Sequence, residues 1–305
     1  MGKNPDRKNE PIKQFNLAWG THHLAHRLTL GRQTRIMGVL NVTPDSFSDG
    51  GRFDTVEKAV TQAGNLVAEG ADILDIGGES TRPFSDSVST NEEIDRVVPV
   101  IEKIAGRVNV PISIDTTKAE VARQALAAGA GIINDVSALN ADDEMARLAG
   151  RADVPLILMH MRGRPKTMQK APIYDDLIGE ITDFFKKSIE RALAGGVAHK
   201  RIILDPGIGF GKTAAHNLML IKRLSAFSAM DLPLLIGPSR KAFIRHTVKK
   251  SGQADLDPGH PDVALGTQAV IAAGILNGAH IVRVHDVAQT RVIVKMVDAI
   301  RHADP

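Results

Sequence analysis

The 305-residue sequence contains no cysteine, which excludes disulfides, thiolate zinc sites, iron–sulfur clusters and a cysteine nucleophile together. The same absence suits a reducing compartment. No segment approaches the apolar run needed to cross a bilayer, and residues 1–35 hold no apolar stretch of signal-peptide length. Met1-Gly2 opens the chain, but Asp6 stands where myristoylation wants Ser or Thr. The expectation is a soluble, cytoplasmic protein. Charge of one sign is not in excess, with 38 Lys and Arg against 35 Asp and Glu, a net +3 and a pI near 9.1. The basic residues are scattered, which argues against a nucleic-acid footprint and leaves room for a small anionic substrate. No shift in composition marks a second domain, and 43% apolar residues suffice for a sizeable core.

What the sequence does have is concentrated first at 36–53, where a short apolar run breaks into a loop dense in Asn, Thr, Pro, Asp, Ser and Gly. That pattern predicts a buried strand feeding a surface loop. Asn41, Thr43, Asp45, Ser46, Ser48 and Asp49 offer oxygen atoms there, with Phe47 as an apolar side chain among them. Beyond it the chain repeats one rhythm of β-rich run, polar loop and helical spacing. Strands are expected at 36–42, 73–76, 111–115, 131–136, 155–160, 201–205, 233–237 and 280–286. Helices are expected at 55–69, 91–105, 118–128, 142–149, 175–194, 215–226, 262–276 and 288–300. Continuous rather than alternating apolar runs fit parallel strands covered on both faces. Eight such units point to an α/β (β/α)8 TIM barrel over 31–305, preceded by an N-terminal extension at 1–30. An open doubly wound sheet, the alternative, usually has five or six strands. Within 15–35, Trp19, Leu24, Leu28 and Leu30 suggest a short capping element, and the spacing of His22 and His26 would put both on one face of a helix.

In a barrel the functional groups gather where strands end. Those ends read Asn41, Asp75, Asp115, Asn134 with Asp135, His160, Asp205, Ser239 to Lys241, and Arg283 with His285. A rim of this kind is hard to explain as structure alone. Asp115, Asn134, Asp205 and Lys241 match the donors and acceptors of a flat, nitrogen-rich heterocycle, while Arg82, Arg283 and His285 match an anion. Asp75 and Asp135 stay open between bonding a neighbour and touching a ligand, because buried polar groups are normally satisfied. Long loops at 43–54 and 78–90 read as functional lids, the second carrying Arg82 on a proline-stiffened turn. Arg162 and Arg164 read as solvated loop cations and Asp49 as turn chemistry.

Two patterns are set aside. Gly207-Ile208-Gly209-Phe210-Gly211-Lys212-Thr213 ends like a phosphate-binding P-loop, but Pro206 occupies the place of its leading Gly, and it falls in the sixth unit. It reads as a Gly-rich turn between strand and helix. Met159, Met161 and Met168 could suggest a soft-metal box; Met159 reads instead as packing at a strand end, against a ligand face.

The motifs resemble those of the dihydropteroate synthase family, pterin-binding (β/α)8 barrels. The resemblance rests on Met37-Gly38-Val39-Leu40-Asn41-Val42-Thr43-Pro44-Asp45-Ser46-Phe47-Ser48-Asp49-Gly50-Gly51 and Asp75-Ile76-Gly77-Gly78-Glu79-Ser80-Thr81-Arg82-Pro83. It continues through Ser113-Ile114-Asp115-Thr116, Ile133-Asn134-Asp135, Met159-His160-Met161-Arg162-Gly163, Leu204-Asp205-Pro206-Gly207-Ile208-Gly209-Phe210-Gly211-Lys212, Gly237-Pro238-Ser239-Arg240-Lys241 and Arg283-Val284-His285-Asp286. It implies a transferase of folate biosynthesis that joins 7,8-dihydropterin-6-ylmethyl diphosphate to 4-aminobenzoate, by Mg²⁺-assisted dissociative loss of diphosphate. It also implies a sulfonamide target and a homodimer.

By the same resemblance Asp75, Asp115, Asn134, Met159, Asp205 and Lys241 would hold the pterin. Asn41, Thr81, Arg82, Arg283 and His285 would hold the diphosphate, and Asn41 would bind Mg²⁺. Phe47, Thr81, Arg82, Pro83 and Ser239 would shape the aminobenzoate site, and Asn41, Asp115 and Lys241 would be the catalytic set. Phe84 departs from the family pattern, standing where many members carry Gly, and is expected to stiffen and enlarge the second loop's tip. The alternatives are a pterin-dependent methyltransferase and a non-catalytic pterin-binding paralogue.

Overall fold

The computed structural model describes residues 13–21, 25–43, 52–80, 87–163, 168, 172–250, 252 and 254–303. The chain opens with an antiparallel hairpin, β1 (Phe15–Gly20) and β2 (Ala25–Leu30), paired from Phe15↔Leu30 to Gly20↔Ala25. The strand–helix alternation then follows: β3 (Arg35–Asn41), α1 (Arg52–Glu69), β4 (Ile73–Gly77), α2 (Thr90–Ala105), β5 (Ile112–Asp115), α3 (Ala119–Ala128), β6 (Ile132–Asp135) and α4 (Glu144–Ala152). The second half runs β7 (Leu156–Met159), α5 (Leu177–Ala194), β8 (Ile202–Asp205), α6 (Ala214–Lys222), β9 (Leu235–Ile236), α7 (Ala242–Val248), α8 (Pro261–Leu276), β10 (Ile281–Val284) and α9 (Val287–Arg301).

Strands β3 to β10 form one parallel sheet in the order β8-β7-β6-β5-β4-β3-β10-β9. A parallel bridge between Leu204 and Leu234, with Leu204 N donating to Pro233 O at 2.9 Å, joins the two ends and closes the barrel. The eight expected strands are these eight. They are almost wholly buried, as strands enclosed by side chains within and helices without must be. Gly38 shows how tightly the outer layer closes, since a Cβ there would meet Val287 of α9 at 3.2 Å and Ala71 at 3.3 Å. Residue 38 thus faces the helices, and the alternation along a strand turns Met37, Val39 and Asn41 the other way. Glycines end helices α3 and α8, with Gly129 at φ 122° and Gly278 at φ 107°, where L side chains are strained.

The helix expected at 215–226 divides. α6 ends at Lys222 and a 3-10 segment, Leu224–Met230, replaces its last turn. Leu224 and Phe227, three apart, are both buried, the spacing that three residues per turn place on one face.

Among the described residues the N-terminal capping element is built of strands, β1 and β2, so His26 does not lie on a helix. Leu17, Trp19, Leu28 and Leu30 are buried, an alternation that fits strands covering a surface with one face. His26 lies in β2 stacked on Trp19 with ring centroids 5.4 Å apart, and His22 lies outside the described residues. The hairpin touches the barrel at residues just before strand starts. Trp19 crowds Gly131, Phe15 meets the His280 ring edge-on at 5.2 Å, and Ala18 O accepts from Arg201 Nη1 at 2.5 Å. It therefore plugs the end of the barrel opposite the strand C-termini.

Candidate functional site

At the open end the strand-end side chains converge. Arg283 of β10 donates from Nε to Asp75 Oδ2 of β4 at 2.6 Å and from Nη2 to Asp115 Oδ2 of β5 at 2.7 Å. Asn134 Nδ2 of β6 donates to the same Asp75 oxygen at 3.1 Å. Asp75 and Asp115 are 0% and 5% exposed, so one guanidinium answers two carboxylates in a nearly dry setting. Burial pushes Asp115 up to about 7 even though Arg283 pulls it down. Burial also works against the charge of Arg283, but Asp75 and Asp115 outweigh it and keep the guanidinium protonated. Asp75 Oδ1, Asp115 Oδ1 and Ser113 Oγ are buried with no hydrogen-bond partner among the described residues. Gly77 lines the same opening, since a Cβ on it would lie 3.5 Å from Asp115 Cβ and 3.8 Å from Asn41 Oδ1.

Beside this cluster stands a second one built on the turn after β8. Asp205 Oδ1 accepts from Gly207 N at 2.7 Å, and burial raises its carboxyl to about 6. Lys241, at the start of α7, places Nζ 3.9 Å from the centroid of the Phe210 ring. Its stem crosses Gly209, where a Cβ would approach Lys241 Cδ to 2.9 Å. Val136, Met159, Met168 and Phe210 form a small buried apolar cluster of their own. The mouth thus combines an apolar wall with carboxylates, an amide and an ammonium.

A third group closes the ring. His285 Nδ1 lies 3.0 Å from Ser239 Oγ, and the His285 backbone N–H donates to that oxygen at 3.3 Å. Burial, with Arg283 and Arg240 nearby, lowers His285 to about 3, so it is a neutral imidazole with one N–H to give. Arg240 forks onto Asp286 at 3.1 and 2.5 Å.

A pterin-binding enzyme family model matches residues 37–285. The chain is 47% identical over 270 residues to a dihydropteroate synthase of Synechocystis sp., covering 88% of this chain and 91% of that protein. The chain belongs to the dihydropteroate synthase family. That membership makes it a transferase of folate synthesis. Among solved structures, a Yersinia pestis dihydropteroate synthase in a sulfonamide drug complex superposes with a TM-score of 0.84 at 41% identity, over 94% of this chain and all of that one. A Xanthomonas albilineans dihydropteroate synthase with 4-aminobenzoic acid gives 0.82 at 41% identity, over 91% and 96%.

Of the residues expected at a dihydropteroate synthase site, the fold brings Asn41, Asp75, Asp115, Asn134, Met159, Asp205, Ser239, Lys241, Arg283 and His285 to one mouth. Phe47, Thr81, Arg82, Pro83 and Phe84 lie outside the described residues. Arg283, assigned to the anion half, has its guanidinium on carboxylates assigned to the pterin half. Asp135 is a turn former: its carboxylate accepts from Ser137 N, Ser137 Oγ and Leu139 N at 2.7–2.8 Å, where Ala138 and Leu139 take positive φ. At the base of the second loop Arg96 Nη1 donates to Gly78 O at 2.7 Å, and Lys118 bonds both Glu79 and the buried Glu93. Sequence reasoning gave Lys212 no role, although its Gly-rich motif drew attention; it is 3% exposed and sits beneath the Asp205–Lys241 cluster.

Proposed function

We propose that this chain condenses 7,8-dihydropterin-6-ylmethyl diphosphate with 4-aminobenzoate to give 7,8-dihydropteroate and diphosphate. One observation carries the reading: Asp115, Asn134, Asp205 and Lys241 share a mouth with an apolar wall and with Arg283, Asn41 and His285. Carboxylates accept from the amine and ring N–H groups of a pterin, and Lys241 donates to its ring oxygen or nitrogen. Met159 and Phe210 offer apolar contact to the ring. Asp75, already engaged by Arg283 and Asn134, holds those two in place.

The bond that breaks joins the pterin methylene to a diphosphate oxygen, and the oxygen leaves with the electron pair. Pterin electron density supports positive charge at the methylene carbon, and an ionised, buried Asp115 favours that charge. Arg283 and the neutral His285 donate N–H groups to the departing diphosphate. The aminobenzoate nitrogen then forms the new C–N bond and sheds a proton. Mg²⁺, when bound, supplies neutralisation of the leaving group's charge. Among the described residues no three His, Asp or Glu side chains could cage a metal, but Asn41 turns a neutral amide oxygen into the mouth. One protein oxygen suits an ion that keeps its waters and takes the rest of its ligands from phosphate, so Asn41 fits as its holder.

The same reading includes a homodimer and a cytoplasmic setting, the latter in keeping with a chain that has no cysteine. Leu265 and Leu276 of α8 and Val292, Met296 and Ile300 of α9 are 55–70% exposed, and the two helices pack side by side. An apolar stripe of that kind supports an interface. Sedimentation should give a dimer that Met296→Glu dissociates. The activity is tested by diphosphate release with both substrates and Mg²⁺; release that needs aminobenzoate is the expected result, and none at all would sink the reading.

A further inference from the structure

We infer that Lys212 is a positioning residue for the pterin half of the site, acting through Lys241 and Asp205; this rests on the pterin-binding reading above. Its amino group is buried, which lowers it to about 7, and among the described residues its hydrogen bonds run to carbonyls and an imidazole and not to a carboxylate. Nζ lies 3.0 Å from Gly207 O, 2.9 Å from Phe210 O and 2.9 Å from His160 Nδ1, with His160 O further off at 3.4 Å. A buried lysine is expensive unless something requires it. Here its three N–H donors draw two carbonyls of one turn and the end of β7 onto a single point.

The turn gathered in this way is the one that builds the pterin slot. Gly207, Gly209 and Gly211 take φ of 68°, 84° and 61°. Side chains at Gly207 and Gly211 would collide with His160 O and Arg162 O, so the turn lies flat on the backbone that follows β7. Gly207 N holds Asp205, Gly209 seats the Lys241 stem, and Phe210 lies under the Lys241 ammonium. Asn217 Oδ1 accepts from Gly209 N at 2.7 Å and pins the turn from α6. Lys212 therefore fixes the two ends of the segment, residues 207 and 210, whose middle carries Lys241. The acceptor at His160 is ready for it, because burial and Lys212 itself drop His160 to about 2 and leave its ring neutral. The edge of the Phe184 ring, 4.7 Å between centroids, holds that imidazole in orientation.

The test is calorimetric binding of the pterin diphosphate, beside steady-state kinetics, for the full chain and for Lys212→Met, which keeps length and apolar bulk. The expected result is a Kd for pterin diphosphate raised at least tenfold, with the KM for 4-aminobenzoate within twofold of the parent. Thr34→Val, which removes a buried hydroxyl that donates to Asp298 just before β3, at the hairpin end of the barrel, serves as a destabilised control and should leave both constants unchanged. An unchanged pterin Kd in folded Lys212→Met, or equal losses for both substrates, would overturn the inference. Should Lys212→Met fail to fold, His160→Phe removes one of the three acceptors, and a pterin Kd raised less than threefold then overturns it. If the parent binds pterin diphosphate without releasing diphosphate, the proposed reaction fails while the Kd comparison still decides the role of Lys212.

Discussion

Replacing Asp115 by Asn should spare the protein the stability that the parent loses as pH rises, while disabling it. The side chain is 5% exposed, and burial lifts it from its usual 3.8 to about 7 despite the Arg283 bond. In the unfolded chain the proton leaves near pH 4, whereas the folded protein keeps it until about pH 7. Between those values the folded state binds more protons, so rising pH removes stability, and above about 7 the full loss stands. From pH 5 to the folded value is about two pH units, so at about 1.4 kcal/mol per unit the parent loses on the order of 3 kcal/mol over that interval. Asn cannot ionise and escapes this loss. Any fixed penalty, such as an amide N–H pointing where Asp115 Oδ1 now lacks a partner, is the same at both ends and cancels. The advantage of Asp115→Asn over the parent should therefore grow by about 2–3 kcal/mol between pH 5 and pH 8, which at roughly 2 °C per kcal/mol for a chain of this size is about 5 °C in Tm. Thermal unfolding by circular dichroism at both pH values reads it directly, and diphosphate release at pH 8 should fall by about two orders of magnitude, as for other lost electrostatic stabilisation. A difference in Tm that stays constant with pH, or shrinks, would show that Asp115 is not held above its ordinary range by burial.

Arg283→Lys keeps the charge but loses the fork that spans Asp75 and Asp115; kcat/KM for the pterin diphosphate should drop by about 100-fold, the loss of one or two charge-assisted hydrogen bonds at 1.5–3 kcal/mol each. Asn41→Ala should raise the Mg²⁺ concentration for half-maximal activity by about tenfold, equivalent to one lost contact of about 1.4 kcal/mol. Phe47→Ala should chiefly raise the KM for aminobenzoate, and equal effects of these two variants on both substrates would contradict that division. Arg201→Met removes the bonds to Asp153 and to Ala18 O that hold the hairpin; urea unfolding should show a loss of about 2–3 kcal/mol with kinetic constants unchanged.

The barrel was legible because its strands are short continuous apolar runs, each stopping at a polar residue. That pattern arises only when both faces of a strand are buried and its C-terminal end opens on a site. The convergence of Asn41, Asp115, Asn134, Asp205 and Lys241 follows from closure of the sheet, so the strand ends could be grouped before any distance was known. The hairpin at 15–30 was not legible as such: Leu17 and Trp19 alternate over too few residues to outweigh the helical spacing of His22 and His26. Lys212 was hidden for another reason. Its motif was rightly refused as a phosphate loop, but a lysine whose partners are the carbonyls of its own turn and a histidine 52 residues away leaves no charge pair or period in the sequence. Asp135 was undecidable for the same reason, since its partners, two backbone N–H groups and the Ser137 hydroxyl, converge only once the turn has formed.

Arg283 shows why the two halves of the mouth cannot be treated separately. Asp75, Asp115 and Asp205 stand with Arg283, Lys241 and Lys212 on or just beneath one opening, where burial raises Asp115 and Asp205 to about 7 and 6 and lowers Lys212 to about 7. Arg283 uses two of its five N–H donors on Asp75 and Asp115, and the remaining three give it hydrogen-bonding capacity for a phosphate oxygen beyond those carboxylates. In the proposed reaction, a diphosphate drawing on that guanidinium as the C–O bond breaks would weaken its hold on Asp115 and leave the carboxylate facing the positive charge that develops on the pterin. In that reaction a lysine, a point charge without a planar fork, would have to choose one side, whereas the planar fork of Arg283 can serve leaving group and heterocycle together.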